Sequence, residues 1–166
     1  MVGLDFLQTD AARLNERGYD IRVGDAEDFD LGRTFDLVVA GDIIEHLANP
    51  GGLLTSAARH MHSDSLAVIT TPNPFNAEQL AWTLVRGHPM ANEQHALWLD
   101  PMVAHEMVSR SPLEVVGFHW IDTRFAYPLY GPGPLPRIVN GLTRRIMARR
   151  PSTRRDFALV LARRDR

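Results

Sequence analysis

Short apolar runs alternate with amphipathic segments along most of the chain. The apolar runs predict six β-strands, over residues 2–5, 21–24, 35–40, 66–70, 115–123 and 157–162. Apolar residues at helical spacing predict five helices, over residues 9–17, 50–61, 77–86, 101–110 and 137–149. Strands that alternate with helices are typical of βα units around a largely parallel sheet. The pattern therefore predicts an α/β fold.

The same pattern indicates a single domain, residues 1–166, because no internal repeat and no domain-length linker interrupts it. Three parts follow one another: residues 1–74 with βα units, residues 75–112 with two helices, and residues 113–166 with the last two strands and a basic helix between them. Proline and glycine are frequent in residues 127–136, which predicts a loop before that helix.

Composition excludes several classes of protein. The 166 residues are 45% hydrophobic and 23% charged, which is typical of a globular domain and not of a disordered or collagen-like chain. Because the chain has no cysteine, a thiol nucleophile, a thiolate metal site and a disulfide scaffold are excluded. No apolar run approaches the roughly 20 residues of a membrane span, and the first residues do not resemble a signal peptide. We expect a reducing, cytoplasmic location.

The two ends of the chain differ in charge. Residues 1–64 hold twelve acidic residues and five arginines, whereas residues 133–166 hold ten arginines and two aspartates. Many of these arginines lie on helix 137–149, which also has apolar residues to bury. Such a helix could bind a membrane surface or a phosphate-rich partner, but a partly packed helix with a solvated arginine face is the simpler interpretation. No aromatic residue lies between the arginines of this helix, so no nucleic-acid partner is predicted.

The residues that directly follow the apolar runs are the candidates for ligand binding, because ligands of doubly wound sheets bind at the carboxyl ends of the strands. These residues are Asp5, Gly24-Asp25, Gly41-Asp42 and Thr71-Pro72-Asn73. An acid at the end of a strand can accept both hydroxyl groups of a ribose, as in dinucleotide-binding folds. Capping of the next turn is the alternative role for Asp5.

Five short motifs occur in order along the chain, namely Val2-Gly3-Leu4-Asp5, Val23-Gly24-Asp25-Ala26-Glu27, Phe35-Asp36-Leu37-Val38-Val39, Ile44-Glu45-His46-Leu47 and Thr71-Pro72-Asn73. Together they resemble the class I S-adenosylmethionine-dependent methyltransferases, and within them the group that includes the ubiquinone-biosynthesis O-methyltransferases and many sugar and natural-product enzymes. The resemblance extends from Val2 to about Phe118. It implies a Rossmann-like, doubly wound sheet whose seven strands have the order 3-2-1-4-5-7-6.

The resemblance also implies which residues bind S-adenosylmethionine: Asp5 at the ribose, Phe6 against the adenine face, Asp25 and the Ala26 backbone at the adenine amino group, and Ala40 and Gly41 beneath the methionine portion. Residues 1–74 would then bind the cofactor, and residues 75–112 would cover the acceptor. The chemistry agrees, since adenine needs a stacking surface and an acceptor for its amino group. A solvated acidic loop is the alternative for residues 25–28.

His46 and His95 are the candidate catalytic bases, because a histidine titrates near neutral pH and can take a proton from a substrate hydroxyl. A buried or capping role is the alternative for His95. We interpret Trp98 as a packing residue, although it could also wall the acceptor site. Asp42, Glu45 and His46 have the spacing of one helix face, and some relatives hold a divalent cation with such a pattern. We predict no metal, with Asp42 capping the turn and with Glu45 and His46 bonded to neighbouring backbone and to substrate.

The fold is expected to be N-terminally incomplete, because the first strand, the Gly-x-Gly loop and the first helix of the family would all precede Val2. That strand lies at the centre of the family's sheet, where unpaired backbone groups are costly. The chain should therefore leave a central gap, pair other strands, or receive the missing piece from a partner, either a second copy or a complementing chain. We interpret Met1 as replacing an internal valine of a longer reading frame. Binding of S-adenosylmethionine by these 166 residues is expected to be weak or absent.

The predicted function is methyl transfer from S-adenosylmethionine to an oxygen or nitrogen of a small molecule. Catalysis in this family is mostly in-line alignment of donor and acceptor, assisted by a base when the acceptor is a hydroxyl. The alternative is a non-catalytic remnant or partner subunit that keeps the fold but not the cofactor. A fragment of a nicotinamide dinucleotide enzyme is disfavoured by the motifs Glu45-His46-Leu47 and Thr71-Pro72-Asn73. The acceptor itself is not specified, because the variable residues 75–100 and 125–136 would form its pocket.

Overall fold

The computed structural model describes residues 1–90, 92–122 and 134–164, without the side chains of residues 134–136. This part of the chain contains six strands: β1 (Gly3–Asp5), β2 (Ile21–Val23), β3 (Phe35–Gly41), β4 (Met61–Pro72), β5 (Leu113–Ile121) and β6 (Asp156–Arg163). It also contains five α-helices, α1 (Gln8–Glu16), α2 (Pro50–Arg59), α3 (Ala77–Arg86), α4 (Pro101–Ser109) and α5 (Pro134–Arg149), and the short 3₁₀ helices Ile44–His46 and Pro151–Thr153. Every predicted strand and helix overlaps one of these elements.

Several boundaries differ from the prediction by a few residues, and two of these differences have a clear physical reason. Met61 was expected to end helix 50–61, but α2 ends at Arg59 and Met61 begins β4, where it is fully buried. An apolar residue at this position suits either element, so periodicity could not separate them. Helix α5 begins at Pro134, inside the predicted loop, because proline is well suited to the first turn of a helix. Residues 127–133 of that loop lie outside the described residues.

The strands form two sheets. In the first, β1 and β2 pair in parallel, with Gly3 opposite Ile21; we call residues 2–24 the β1–β2 unit. The second has the order β3-β4-β6-β5, in which β3 and β4 are parallel and β6 runs antiparallel to both of its neighbours. This is the order that the resemblance implied, once the central first strand of the family is left out. The predicted α/β fold is confirmed.

Among the described residues, no strand lies between β1 and β3. Each of these strands pairs with one neighbour, and both border a cavity of about 580 Å³, which we call the inter-sheet cavity. Leu37 and Val39 of β3 are 54% and 66% exposed, although strands of a parallel sheet are normally covered on both faces. Of the outcomes expected from the sequence, a pairing of β1 with β3 is absent among the described residues.

The hydrophobic core is formed by the four-stranded sheet and the helices packed against it. Its fully buried side chains include Leu54 of α2, Met61 of β4, Leu113 of β5, and Phe157 and Leu161 of β6. Helices α2 and α4 contribute further buried residues to the same cluster. By contrast, every residue of β1 and β2 is at least partly exposed. The core therefore supports the sheet β3-β4-β6-β5 far more strongly than it supports the β1–β2 unit.

Side-chain caps fix where the helices beside the carboxyl ends of the strands begin. Asn76 accepts the backbone N–H of Gln79 at the start of α3, and Asp100 accepts that of Met102 at the start of α4. Caps of this kind pair N–H groups that a helix itself leaves without partners. Helix α3 ends at Arg86. The next residue, Gly87, has a left-handed φ of 76°, which suits glycine.

The arginine-rich helix α5 is partly packed. Its Thr143 and Met147 are buried, whereas Ile138 and Leu142 are exposed. This agrees with the interpretation of a packed helix that keeps one solvated face. Within the described ranges, no helix combines the length and the apolar character needed to cross a membrane.

Candidate active site

The inter-sheet cavity brings together all six residues that were predicted to bind the cofactor: Asp5, Phe6, Asp25, Ala26, Ala40 and Gly41. The first pair ends or follows β1, the second follows β2, and the third ends β3. Residues so far apart in the sequence meet because the carboxyl ends of parallel strands lie at one edge of the fold. Most of the remaining lining is apolar, so the cavity combines apolar surface with two carboxylates.

Each of these two carboxylates also caps the turn that follows it. Asp5 Oδ1 accepts the N–H of Leu7 at 2.8 Å, and Asp25 Oδ1 accepts the N–H of Glu27 at 2.9 Å. The alternative role considered for Asp5 is therefore present in the structure. Within residues 1–90, 92–122 and 134–164, the Oδ2 atoms of both acids have no protein partner, so one oxygen of each remains for a ligand.

The other cavity residues offer surface and backbone. Phe6 is 74% exposed, and a large aromatic ring beside a cavity provides a stacking surface for a planar group. Ala26 and Ala40 pack against the hydrophobic core. The four-stranded sheet therefore fixes the backbone on one side of the cavity, while Phe6 lies on the more exposed side.

Glu27 joins the acidic loop after β2 to helix α2, a role that the sequence analysis missed. Its Oε1 accepts the N–H groups of Ala48 at 2.7 Å and of Asn49 at 3.0 Å, just before α2 begins. The Cα of Gly52 approaches the Glu27 carbonyl so closely that a side chain would not fit there. The alternative of a solvated loop therefore fails at Glu27. The available signal was an acid that could pair with N–H groups near a helix start.

Strand β3 leads into a strained residue, Asp42, whose φ of 48° is uncommon for a residue with a Cβ. Thr70 of β4 holds it in place: Thr70 Oγ1 donates to Asp42 Oδ1 at 2.8 Å, and the Asp42 N–H donates to the Thr70 carbonyl at 3.1 Å. The prediction that Asp42 caps the next turn is wrong, because its carboxylate bonds to β4 and the 3₁₀ helix has no side-chain cap. Strain of this kind is frequent at functional sites.

A second pocket, of about 60 Å³, lies beside the 3₁₀ helix Ile44–His46. We call it the Glu45 pocket. Gln79 of α3 lines it together with His95 and Trp98, which come from the segment before α4. Trp98 is thus positioned as a wall of this pocket, in agreement with the role that the sequence suggested.

Backbone hydrogen bonds fasten this segment to the turn after β3. The N–H groups of Ala96 and Leu97 donate to the Glu45 carbonyl at 2.9 and 3.2 Å. His46 Nδ1 lies 3.0 Å from the Gln94 carbonyl. Because a carbonyl can only accept, His46 Nδ1 carries a proton and donates it to this hydrogen bond.

The two candidate bases lie against each other, with the ring centroids of His46 and His95 4.8 Å apart in an edge-to-face arrangement. Burial, and after it the charge of His46, lowers the pKa of His95 below its ordinary value. His95 is therefore neutral at neutral pH and can accept a proton. The structure brings together the two histidines that the sequence separates by two helices and one strand.

Glu45 is the most deeply buried acid of the site, at 2% exposure. Its Oε2 accepts a hydrogen bond from Thr71 Oγ1 at 3.0 Å. Burial raises the pKa of Glu45 above its ordinary value, which favours the protonated carboxyl group. Thr71, which follows the fourth predicted strand, therefore contributes to the site through its hydrogen bond to Glu45.

Glu45, His46 and His95 each offer one possible metal ligand, and these three atoms lie within 4.8 Å of one another. Carboxylate and imidazole groups suit a divalent transition metal. The sequence pattern grouped Asp42 with Glu45 and His46, whereas the structure groups His95 with them. A carboxylate ligand must be deprotonated, so a metal at this place would have to overcome the burial that raises the pKa of Glu45.

Asn73, singled out in the sequence at the end of β4, has a structural role. Its Nδ2 donates to the carbonyls of Ser152 and Arg154 at 3.0 and 2.8 Å, and its Oδ1 accepts the N–H of Phe75 at 3.0 Å. The Nδ2 end therefore holds the segment before β6 against the end of β4, and the Oδ1 end holds the turn that follows β4.

The chain matches a protein-family model described as a methyltransferase domain, over residues 2–113. It belongs to this methyltransferase family. The matched residues include the complete lining of the inter-sheet cavity and of the Glu45 pocket. The membership of the class I S-adenosylmethionine-dependent methyltransferases, inferred from the motifs, is confirmed.

Known methyltransferases resemble this chain in sequence and in fold. The ubiquinone biosynthesis O-methyltransferase of Rickettsia conorii is 22% identical over 116 residues, which cover 66% of this chain but 40% of that protein. A SAM-dependent methyltransferase from Archaeoglobus fulgidus has a TM-score of 0.63 and 18% identity, over 98% of this chain and 75% of that one. The magnesium protoporphyrin IX methyltransferase of Synechocystis PCC 6803, solved with bound SAH, has a TM-score of 0.62 and 10% identity, over 98% and 64%. The structural likenesses confirm the Rossmann-like fold.

Proposed function

We propose that this protein transfers a methyl group from S-adenosylmethionine to an oxygen or nitrogen atom of a small molecule. The observation that carries the proposal is that two separate sites share one turn, residues 41–46. Gly41 and Ile43 line the inter-sheet cavity, while Glu45 lines the second pocket. A turn shared in this way places a donor and an acceptor side by side, and alignment is the main requirement of methyl transfer.

The inter-sheet cavity would hold the cofactor. Its apolar lining, the exposed ring of Phe6 and the two carboxylates with available oxygens fit an adenosyl group. Asp5 would accept the ribose hydroxyls, and Asp25 with the Ala26 backbone would bind the adenine amino group. Ala40 and Gly41 would lie beneath the methionine portion. When bound, the cofactor supplies the reactive methyl group on its sulfonium centre.

The Glu45 pocket would hold the acceptor, and His46 and His95 are the bases that we assign to it. His95 lines the pocket in its neutral form, and His46 contacts the His95 ring. Either imidazole can remove a proton from a hydroxyl acceptor as the methyl group arrives. In this division residues 1–74 bind the cofactor, residues 75–112 cover the acceptor, and residues 113–166 complete the sheet.

A metal is not part of the proposed mechanism. Glu45 would have to lose its proton to become a ligand, and its buried position disfavours the charged form. We assign Glu45 a hydrogen-bonding role instead. It accepts a hydrogen bond from Thr71 and would form another with the acceptor.

The open edges of β1 and β3 favour a second candidate function, a non-catalytic subunit with the methyltransferase fold. The backbone groups on these edges need a strand partner before the cavity has two complete walls. A strand supplied by the same polypeptide, a second copy or a complementing chain would provide it. Without such a strand, we expect cofactor binding to be weak.

The test compares two proteins. One is the chain of 166 residues, and the other, the completed chain, carries an added strand, Gly-x-Gly loop and helix before Val2. Each is incubated with S-adenosylmethionine and pools of small molecules bearing hydroxyl or amino groups, and S-adenosylhomocysteine formation and methylated products are measured by mass spectrometry. We expect products from the completed chain. If the completed chain folds and binds the cofactor but methylates no pool, the non-catalytic function is favoured.

A further inference from the structure

Gln79 lies in the first turn of α3, lines the Glu45 pocket and is 6% exposed. Its Nε2 has no hydrogen-bond partner among the residues that the structure describes. Buried amide donors are almost always paired in folded proteins, because burying one without a partner is unfavourable. An unpaired donor at a pocket wall therefore indicates a group that the pocket binds.

The neighbouring buried polar groups are already paired within the protein. Glu78 accepts two hydrogen bonds from Arg155, and the amide of Asn73 is used at both ends. Thr71 donates to Glu45. Gln79 lies among these residues and differs from them, because its Nε2 has no partner in the described part of the chain.

The rest of the pocket defines the kind of partner. Pro72, Leu97, Trp98 and Leu99 give it apolar walls, and among the described residues neither arginine nor lysine lines it. An anionic ligand would be buried there without an arginine or lysine beside it, which is unfavourable. A neutral oxygen, such as the carbonyl of a ketone, an ester or an amide, needs one donor and no counter-charge.

We infer that Gln79 is a specificity-determining residue, whose Nε2 donates a hydrogen bond to a neutral carbonyl-type oxygen of the acceptor substrate. The inference rests on the proposed function in one respect, that the Glu45 pocket is the acceptor site. It adds a substrate class: uncharged molecules that carry a carbonyl oxygen close to the hydroxyl or amino group that is methylated.

The first test uses protein stability alone. In Gln79→Leu the unpaired donor is replaced by an apolar group of similar size, so the melting temperature should stay the same or rise. Asn76→Leu is the matched control on the same helix, because the Asn76 side chain caps α3 and donates to the Asn73 carbonyl. The control should melt at a clearly lower temperature. A fall for Gln79→Leu as large as that of the control would show that Gln79 has a protein partner and would overturn the inference.

The second test uses acetone and acetate, which have the same number of non-hydrogen atoms but differ in charge. Each is titrated into ¹⁵N-labelled protein at millimolar concentrations, and the side-chain amide signals of Gln79 are followed by NMR. Acetone should shift them, acetate should shift them at least tenfold less, and Gln79→Leu should lose acetone-dependent shifts around the pocket. No shift with acetone, or equal shifts with both, contradicts the inference. Neither test involves methyl transfer, so a failed methylation assay would reject the proposed function and leave these results standing.

Discussion

The four-stranded sheet and the β1–β2 unit follow the same βα pattern, yet they are packed very differently. Strand β4 has 12 residues with several fully buried side chains, whereas β1 and β2 have three residues each and none that is fully buried. Strand β4 pairs on both edges, whereas β1 pairs on one. The comparison teaches that the two proposed sites depend on different parts of the fold.

The Glu45 pocket is formed by the turn after β3, the end of β4, helix α3 and the segment before α4. Those elements belong to or pack around the four-stranded sheet. The inter-sheet cavity, in contrast, has one wall on that sheet and the other on the β1–β2 unit. The Glu45 pocket is therefore preformed, whereas the inter-sheet cavity depends on how the less supported unit is held.

The largest difference should appear in stability. Phe157→Ala removes a fully buried ring from the four-stranded sheet and should lower the free energy of unfolding by about 4 kcal/mol. Val23→Ala in the β1–β2 unit, where the side chain is more than half exposed, should lower it by less than about 1 kcal/mol. Urea denaturation followed by circular dichroism measures both changes. Equal losses would show that the two regions share one core.

The next largest effect concerns catalysis. His95→Gln in the completed chain should lower the methyl-transfer rate for a hydroxyl acceptor about a hundredfold, because glutamine cannot take the proton. His46→Gln should lower it as well. His88→Gln, on the exposed end of the same segment, is the control and should keep the full rate. If His95→Gln is as active as the control at every pH, the assignment of the base is wrong.

A smaller effect is expected at the connection between the two regions. Glu27→Gln weakens two hydrogen bonds to the start of α2 and should cost about 1.5 kcal/mol of unfolding free energy. It should also speed hydrogen exchange in β1 and β2 more than in β4. Asp28→Asn is the neighbouring control, since its ion pair with Arg59 is exposed and contributes little. If Glu27→Gln speeds hydrogen exchange equally in β1, β2 and β4, this connection is contradicted.

The pH dependence of stability provides a subtler test. Burial raises the pKa of Glu45 in the folded state, so the folded protein binds more protons than the unfolded protein between the ordinary glutamate pKa and the raised one. Stability of the native sequence should therefore fall as the pH rises through this window. Glu45→Gln should match it at lower pH and become relatively more stable above the window. The opposite trend would mean that Glu45 is stabilised as a carboxylate.

The smallest expected effect is that of a chelator. Methyl transfer by the completed chain should be unchanged in EDTA and after addition of Zn²⁺ or Mg²⁺, because the proposed mechanism uses no metal. Loss of activity in EDTA that a divalent ion restores would show instead that Glu45, His46 and His95 form a metal site.

Much of the lining of the inter-sheet cavity could be predicted from the sequence, because the carboxyl ends of parallel strands meet whatever the details of packing. Asp5, Asp25 and Gly41 each follow an apolar run, and one cavity contains all three. The strand order was predictable for the same reason, from a resemblance carried by those strand ends.

The remaining features depend on tertiary contacts that no local pattern contains. Asp42 bonds to Thr70, which lies in the next strand. In the sequence Glu27 belongs to a charged loop, and its hydrogen bonds near the start of α2 depend on the tertiary fold. His95 joins Glu45 only because backbone hydrogen bonds fold its segment back onto the turn after β3.

The most direct test of the account is calorimetric titration of S-adenosylhomocysteine into the chain of 166 residues and into the completed chain. We expect weak or no binding by the first, and one-to-one binding by the second that Asp5→Ala weakens at least tenfold. Tight binding by the first chain alone would show that the inter-sheet cavity needs no further strand. No binding by a folded completed chain would show that the cavity is not a cofactor site.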